Sequence, residues 1–93
     1  MVLALALVHH LAIGNNVPLP QLAGFFADLA EGLIVEFVPK SDPMVQTLLA
    51  TREDVFPDYT RKGFETAFAA RFTLEDAAPL VESERVVYRM RRR

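Results

Sequence analysis

The sequence predicts an α/β fold in which a mostly parallel sheet is covered by helices on each face. Three observations support this. Residues 33–38 form a short apolar run between Gly32 and Pro39, which is typical of a buried strand. Residues 1–8 form a second apolar run, and helical patterns lie between the two runs and after them. The 93 residues are expected to make a single partial domain, 1–93.

Composition excludes several classes of function. The formal net charge is −2, which disfavours nucleic acid as a partner. The chain has no cysteine, so disulfides, thiolate zinc sites and thiol catalysis are excluded. The run at 1–8 has no basic region before it and is too short to cross a bilayer, so we expect no targeting or membrane segment. These features fit a cytoplasmic protein.

The first half of the chain predicts strand, helix, strand. A loop at 15–20 separates the strand at 1–8 from a helix at 20–31. We expect Gly32 to close that helix in a left-handed conformation. The central strand at 33–38 follows. The helix carries its apolar residues at helical spacing, and we predict that one face is buried, with Leu22, Phe25, Phe26 and Leu29.

Two helices are predicted after the central strand. Asp42 is a favourable N-cap residue and Pro43 a favourable first residue, so a helix is expected from there to about residue 52. A loop at 53–59 leads to Thr60, which can cap the next helix. We expect the phenylalanines of the helices and of the following strand to be core residues, namely Phe25, Phe26, Phe64, Phe68 and Phe72.

Two strands are predicted to complete the chain. A weaker strand at 72–80 carries Pro79, which is expected at an edge or a bend. Apolar and charged residues alternate at 86–91, which predicts a final strand. A short turn at 81–84 makes this strand antiparallel to the preceding one, whereas helical crossovers make the first three strands parallel.

Four stretches carry a resemblance to a known family: LALALVHHL at 3–11, EFVPKSDP at 36–43, FPDYT at 56–60 and SERVVYRMRR at 83–92. With this order of elements, the chain resembles the C-terminal half of a class I S-adenosylmethionine-dependent methyltransferase, a Rossmann-like fold. The resemblance implies the strand order 4-5-7-6 with the last strand antiparallel. In chain order, the fourth, fifth, sixth and seventh strands of the family would correspond to 1–8, 33–38, 72–80 and 86–91.

The chain also departs from that family. The family's glycine-rich loop, which holds the cofactor, and the acidic residue that binds its ribose have no counterpart here. The four glycines are scattered along the sequence, at Gly14, Gly24, Gly32 and Gly63. We therefore expect the chain alone to bind no S-adenosylmethionine tightly and to be inactive, although the intact family fold binds that cofactor.

Two adjacent histidines follow the first predicted strand. The carboxyl ends of parallel strands are where open α/β sheets place ligands, so His9 and His10 are candidates for lining an acceptor pocket or acting as a base. The alternative, which we favour, is that one histidine hydrogen-bonds the loop backbone and the other is solvated. A metal site is disfavoured, because the chain has no further histidine or cysteine to complete a set.

Polar residues beyond the central strand are candidates for binding a substrate. In the intact fold, Glu36, Lys40 and Asp42 would face the same crevice as the histidines. For Asp42, helix capping alone is the favoured explanation. An acid inside an apolar strand needs a specific reason, so both interpretations of Glu36 stay open. Tyr59 belongs to a loop that can form a lid over the acceptor, with Asp54 and Asp58, although a surface loop is favoured.

Arg89 and the arginines at 91–93 form a basic tail. It can contact phosphate, or it can be a frayed strand end that keeps an edge soluble, which is the favoured interpretation.

Two functions stay open for the chain: it is part of a methyltransferase that acts on a small-molecule or macromolecular acceptor, or it is a non-catalytic α/β binding or assembly module. The strand at 1–8 would have an open apolar edge, so we expect self-association there.

Overall fold

The computed structural model describes residues 1–5, 7–50, 53–80 and 83–93. These ranges contain four strands, one π-helical turn and three α-helices. In chain order they are β1 (Val2–Ala4), the π-helical turn (His10–Gly14), α1 (Leu19–Leu29), β2 (Gly32–Phe37), α2 (Pro43–Leu49), α3 (Arg61–Ala69), β3 (Phe72–Pro79) and β4 (Val86–Arg92).

The strands form one mixed sheet in the order β1-β2-β4-β3. β1 is parallel to β2, and Leu3 lies opposite Ile34. β4 runs antiparallel to both of its neighbours, with Met90 opposite Leu33 on one side and Leu74 on the other. The predicted strand order and the reversed direction of the last strand are confirmed.

Helices α1 and α3 contact each other over one face of this sheet. Both crossovers, β1 to β2 and β2 to β3, move in the same direction across the sheet, and right-handed connections then place their helices on the same side. In β4, Tyr88 and Met90 are buried, whereas Arg89 and Arg91 are exposed. The prediction that helices cover both faces is therefore wrong for β4: one face is covered, and the opposite face carries its exposed arginines.

An aromatic cluster fills the space between the sheet and α3. Phe64 stacks on Phe68 with ring centroids 4.4 Å apart, and it lies 5.2 Å from both Phe37 and Tyr88. All four side chains are almost fully buried. The expectation of an aromatic core is confirmed for Phe64 and Phe68, together with Phe26 and Phe72.

Phe25 is the exception, because 54% of its surface is exposed. The buried stripe of α1 passes through Leu19, Leu22, Ala23 and Phe26, which leaves the neighbouring Phe25 on the outer side of the helix. The prediction that Phe25 is a core residue is therefore wrong. Leu29, which was placed on the same face, is also exposed.

The first strand is shorter than predicted. β1 ends at Ala4, and from Val8 the backbone is helical, because the Leu7 carbonyl accepts hydrogen bonds from the amides of His10 and Leu11. Leucine and alanine suit helices as well as strands, so the apolar run alone did not show where the strand ends.

The two predicted N-caps are confirmed. The Asp42 carboxylate accepts from the Met44 amide at 3.0 Å, and the Thr60 hydroxyl accepts from the Gly63 amide at 3.0 Å. The helix after Asp42 ends at Leu49, and its predicted end at 52 falls outside the described residues, as does part of the 81–84 turn.

The expected left-handed conformation of Gly32 is wrong. α1 ends at Leu29, the next residue, Ala30, is extended, and Gly32 is the first residue of β2. None of the four glycines, all of which lie in described ranges, has a positive φ. A Cβ atom at Gly32 would lie 3.2 Å from Met1 Cε, which is the tip of a flexible, exposed side chain.

Within the described ranges, no helix has the length and apolar character needed to cross a bilayer.

Candidate functional site

The reversed β4 brings charged groups together at the carboxyl ends of β1 and β2. Val86, the first residue of β4, pairs with Phe37, the last residue of β2. Arg85, which directly precedes β4, therefore lies beside the end of the central strand. Asp42, at the start of α2, lies at the same edge. We call Glu36, Asp42 and Arg85 the charged cluster.

Arg85 binds Asp42 through two hydrogen bonds. Nε donates to Oδ2 at 2.7 Å and Nη2 donates to Oδ1 at 3.0 Å, which is the paired geometry that favours arginine over lysine. The hydrogen bonds from Arg85 hold the pKa of the Asp42 carboxyl below its usual range, and they raise the pKa of the guanidinium. Asp42 therefore has two roles, since the carboxylate that caps α2 also fixes the arginine.

Glu36 completes the charged cluster from within β2. Its side chain is 8% exposed, and its Oε1 lies 3.8 Å from Arg85 Nη1. An acid in an apolar strand is costly unless it has a partner or lies near the open end of the strand. Both conditions are met here, because Glu36 is the next-to-last residue of β2 and faces a guanidinium.

His9 is fully buried beside this cluster. Among the described residues, neither of its ring nitrogens has a hydrogen-bond partner. Burial, followed by the charges of His10 and Arg85, lowers the pKa of His9, so the ring is neutral at pH 7. The favoured expectation that one histidine hydrogen-bonds the loop backbone is wrong for the His9 ring.

The two histidines differ sharply in exposure. Their rings lie 4.3 Å apart, yet His10 is exposed to solvent while His9 is not. They were expected at the end of a strand, but they lie at the start of the helical turn that follows it. Of the two, only His10 can contact a ligand without movement of the chain.

Lys40 forms a second polar group, separate from the charged cluster. Its Nζ lies 3.0 Å from Asp54 Oδ1, and this contact holds the pKa of the Asp54 carboxyl below its usual range. The pair ties the segment after β2 to the loop before α3. Its charge is therefore already balanced by a carboxylate of the chain.

Tyr59 is a core residue. Only 3% of its surface is exposed, and its ring centroid lies 5.2 Å from that of Phe37. Its hydroxyl donates to the Val38 carbonyl at 2.6 Å, and burial raises its pKa. The favoured prediction of a surface loop is wrong for Tyr59, because the aromatic body and its hydrogen bond together fix the loop to the end of β2.

An apolar groove of about 590 Å³ lies between the start of α1 and the loop before α3. Its walls include Val17 and Pro18 on one side and Phe56 and Pro57 on the other, and Lys62 provides a charge. Tyr59 contributes to the lining. None of the groove residues was predicted as a site residue apart from Tyr59 and Asp58, because apolar loop residues carry no distinctive sequence signal.

Arg85 is the site residue that sequence reasoning missed. The one signal in the sequence was indirect: the strand order 4-5-7-6 places the start of the family's seventh strand beside the end of its fifth strand.

The predicted basic tail is an ordered part of the fold. Arg92 lies in β4 and donates to the Ala27 carbonyl at 2.8 Å, while Arg93 donates to the Ala69 carbonyl at 2.7 Å. The frayed end that we favoured is wrong.

No group of three or more histidine, aspartate or glutamate side chains within the described ranges is placed to hold a metal ion.

Comparison with known proteins gives one informative match. The chain is 41% identical over 91 residues to nodulation protein NoeA of Rhizobium meliloti (strain 1021). The match covers 98% of this chain and 19% of NoeA, so the chain spans about a fifth of the length of that relative. No protein-family model matches the chain, and neither does a solved structure. The chain is thus similar to one segment of a much longer nodulation protein.

Proposed function

We propose that this chain is the acceptor-side part of a class I S-adenosylmethionine-dependent methyltransferase domain, and that it is inactive alone. One observation carries the proposal: the strand order β1-β2-β4-β3, in which a reversed last strand lies between two parallel ones. That order is the one implied for the C-terminal half of the family. The parallel crossovers alone would fit many other α/β folds, whereas the inserted reversed strand is more restrictive.

The position of the charged cluster supports the same proposal. Open α/β sheets bind ligands beyond the carboxyl ends of their strands, and Glu36, Asp42 and Arg85 lie at that edge. In the proposed site, His10 would contact the acceptor because it is exposed. His9, Glu36 and Tyr59 would support it from below, since all three are buried. Lys40 would lie near the rim, held by Asp54.

The described residues do not fit the cofactor as the family holds it. A cradle for the cofactor needs a glycine-rich turn with backbone amides free to approach a ligand. Here Gly14 ends a helical turn, Gly24 and Gly63 lie within helices, and Gly32 begins a strand. We therefore assign no methyl-transfer step to this chain, and we propose that S-adenosylmethionine would be held by another polypeptide segment.

The similarity to NoeA supports a role within a larger protein. About four fifths of NoeA lies outside the match, which leaves ample length for a cofactor-binding half. We propose that the chain acts as one segment of a NoeA-like protein, and that any link to nodulation would come through that protein.

Calorimetry with S-adenosylmethionine tests the proposal in two arms. The first arm is the 93-residue chain, and the second is the polypeptide that carries it at its natural length, as set by intact-mass spectrometry of protein from the source. We expect no low-micromolar binding in the first arm and clear binding in the second. Tight binding by the 93 residues alone would contradict the proposed division of the site. Absence of binding by the natural polypeptide, whatever its length, would overturn the methyltransferase proposal.

The second candidate function is a non-catalytic binding or assembly module. The observation that favours it is the apolar groove of about 590 Å³, which can receive a partner without any cofactor. A natural polypeptide that binds no S-adenosylmethionine would favour this candidate.

A further inference from the structure

His9 combines three properties that are unusual for a core side chain. It is fully buried, neither of its ring nitrogens has a hydrogen-bond partner among the described residues, and it directly precedes the π-helical turn at His10–Gly14. A neutral imidazole carries one donor and one acceptor, and burying such groups unpaired costs free energy. π-helical turns are rare and are often found at functional sites. The fold therefore holds the His9 ring in place at a cost.

The residues of the chain itself cover His9. Because no surface of the ring is exposed, neither solvent, a ligand nor a further polypeptide segment can reach its nitrogens unless the chain moves. The turn that follows His9 has five residues and packs against α1 and α2. Short segments of this kind open at a lower free energy than the whole fold does. A local movement of the turn can therefore expose the ring while the sheet stays intact.

The positive groups beside His9 oppose a further positive charge there. Arg85 acts on the ring from the segment before β4, and the His10 ring lies with its centroid 4.3 Å from that of His9. Asp42 favours the charged form of His9, but its carboxylate already accepts two hydrogen bonds from Arg85. Protonation of the ring in its folded position would therefore bury a second cation beside a guanidinium.

The elements that pack on the turn carry few charges of their own. α2 has no charged side chain from Pro43 to Leu49, and the one charged residue of α1 is Asp28, which lies at the far end of that helix. Glu36 of β2, the third member of the charged cluster, lies 3.8 Å from Arg85 Nη1. Compensation of a charged His9 would thus depend on carboxylates that Arg85 already contacts.

We propose that His9 is an acid-sensitive latch: when its ring takes up a proton, the π-helical turn opens and His9 joins His10 at the carboxyl ends of β1 and β2. Water satisfies both N–H donors of a charged imidazole, whereas the interior leaves both without an acceptor. This edge of the sheet then presents one imidazole at neutral pH and two in mild acid. The latch does not depend on the proposed function, because it involves only groups that this chain itself buries.

The direction of the pH dependence follows from the burial of the ring. Burial lowers the pKa of His9, so below the usual histidine pKa of about 6.5 the closed turn binds fewer protons than the open turn. The contribution of the neutral ring to closure is complete above that pH, and it is lost as the pH falls from there towards the lower folded pKa. Because one proton is involved, the equilibrium constant for opening rises by at most about tenfold per pH unit.

Amide hydrogen exchange measured by NMR between about pH 5 and pH 7 tests the latch on the 93-residue chain. Histidines are the side chains that ordinarily titrate in this range, and the chain has two of them. The protection factors of the amides at 10–14 are expected to fall by up to about tenfold per pH unit below about pH 6.5. Those of β2 and β4 should stay constant, because the sheet remains closed.

Two variants assign the pH dependence to one ring. His9→Leu keeps a buried apolar side chain of similar size and removes the titrating group, and no hydrogen bond is lost because neither nitrogen has a partner among the described residues. Protection of the turn should then be independent of pH in this range. His10→Leu is the matched control: it deletes the exposed imidazole next to His9, and the pH dependence should remain.

Three outcomes would overturn the inference: protection of the turn that does not change with pH in the wild-type chain, a pH dependence that survives His9→Leu, or one that His10→Leu abolishes equally. If circular dichroism shows that His9→Leu is unfolded, the ring signals of the wild-type chain decide instead. The His9 ring must then titrate together with the loss of protection at 10–14, and a ring that titrates while the turn stays protected would also contradict the latch.

Discussion

Replacing Phe64 by alanine is expected to lower the free energy of unfolding by about 3–5 kcal/mol. The Phe64 ring is fully buried. Its centroid lies 5.2 Å from those of Phe37 and Tyr88 and 4.4 Å from that of Phe68. Removal of the ring therefore leaves a cavity that these rigid neighbours cannot fill. A domain of this size has about 5–15 kcal/mol of total stability, so the loss is a large fraction of it. Urea denaturation followed by circular dichroism measures the change.

Phe25→Ala provides the matched control for Phe64→Ala. The same atoms are deleted, but from a side chain that is 54% exposed on the outer side of α1. The cost should be below about 1 kcal/mol. Equal losses for the two variants would show that Phe64 is not at the centre of the core, and the packing of α3 on the sheet would then need to be revised.

Replacing Arg85 by methionine is expected to cost about 2–3 kcal/mol. Methionine keeps the length of the apolar stem but removes both hydrogen bonds to Asp42, whose side chain is only 10% exposed. It also removes the Arg85 guanidinium that lies 3.8 Å from Glu36. Thermal and urea denaturation near pH 7 measure the loss. Arg89→Met is the control, because that arginine is 58% exposed and its ion pair with Glu75, the one it forms among the described residues, is long at 3.9 Å. Its cost should be within about 0.5 kcal/mol.

Acid titration distinguishes the loss of this ion pair from a packing defect. The pKa of Asp42 is lowered in the folded state, so its contribution to stability is complete above the usual aspartate pKa, about 4, and is lost as pH falls through the lower folded value. In Arg85→Met this lowering is smaller, and stability should fall less steeply below about pH 4. An unchanged acid limb would show that the Arg85–Asp42 pair contributes little in solution.

The order of the strands and the starts of α2 and α3 could be predicted from sequence. Asp42 and Thr60 mark helix starts because their side chains satisfy backbone amides that only a helix start leaves free. The reversed final strand was predicted from the resemblance together with the short turn before Val86. These features depend on neighbours in sequence or on strong topological rules.

The features that were missed depend on packing between distant segments. The burial of Tyr59 follows from the carbonyl of Val38 and the ring of Phe37, more than twenty residues away in the chain. Arg85 is part of the charged cluster only because β4 lies beside β2. The helical backbone from Val8 was missed for a different reason, since the leucines and alanines of the run at 1–8 suit both helix and strand.

The reversed placement of β4 between β2 and β3 underlies the charged cluster and the proposed function. Nuclear Overhauser contacts between backbone protons test it most directly. The expected result is a set of contacts that links Leu33 to Met90 and, on the other side of the same strand, Met90 to Leu74. Contacts that paired β2 directly with β3, and left Met90 on an outer strand, would contradict it.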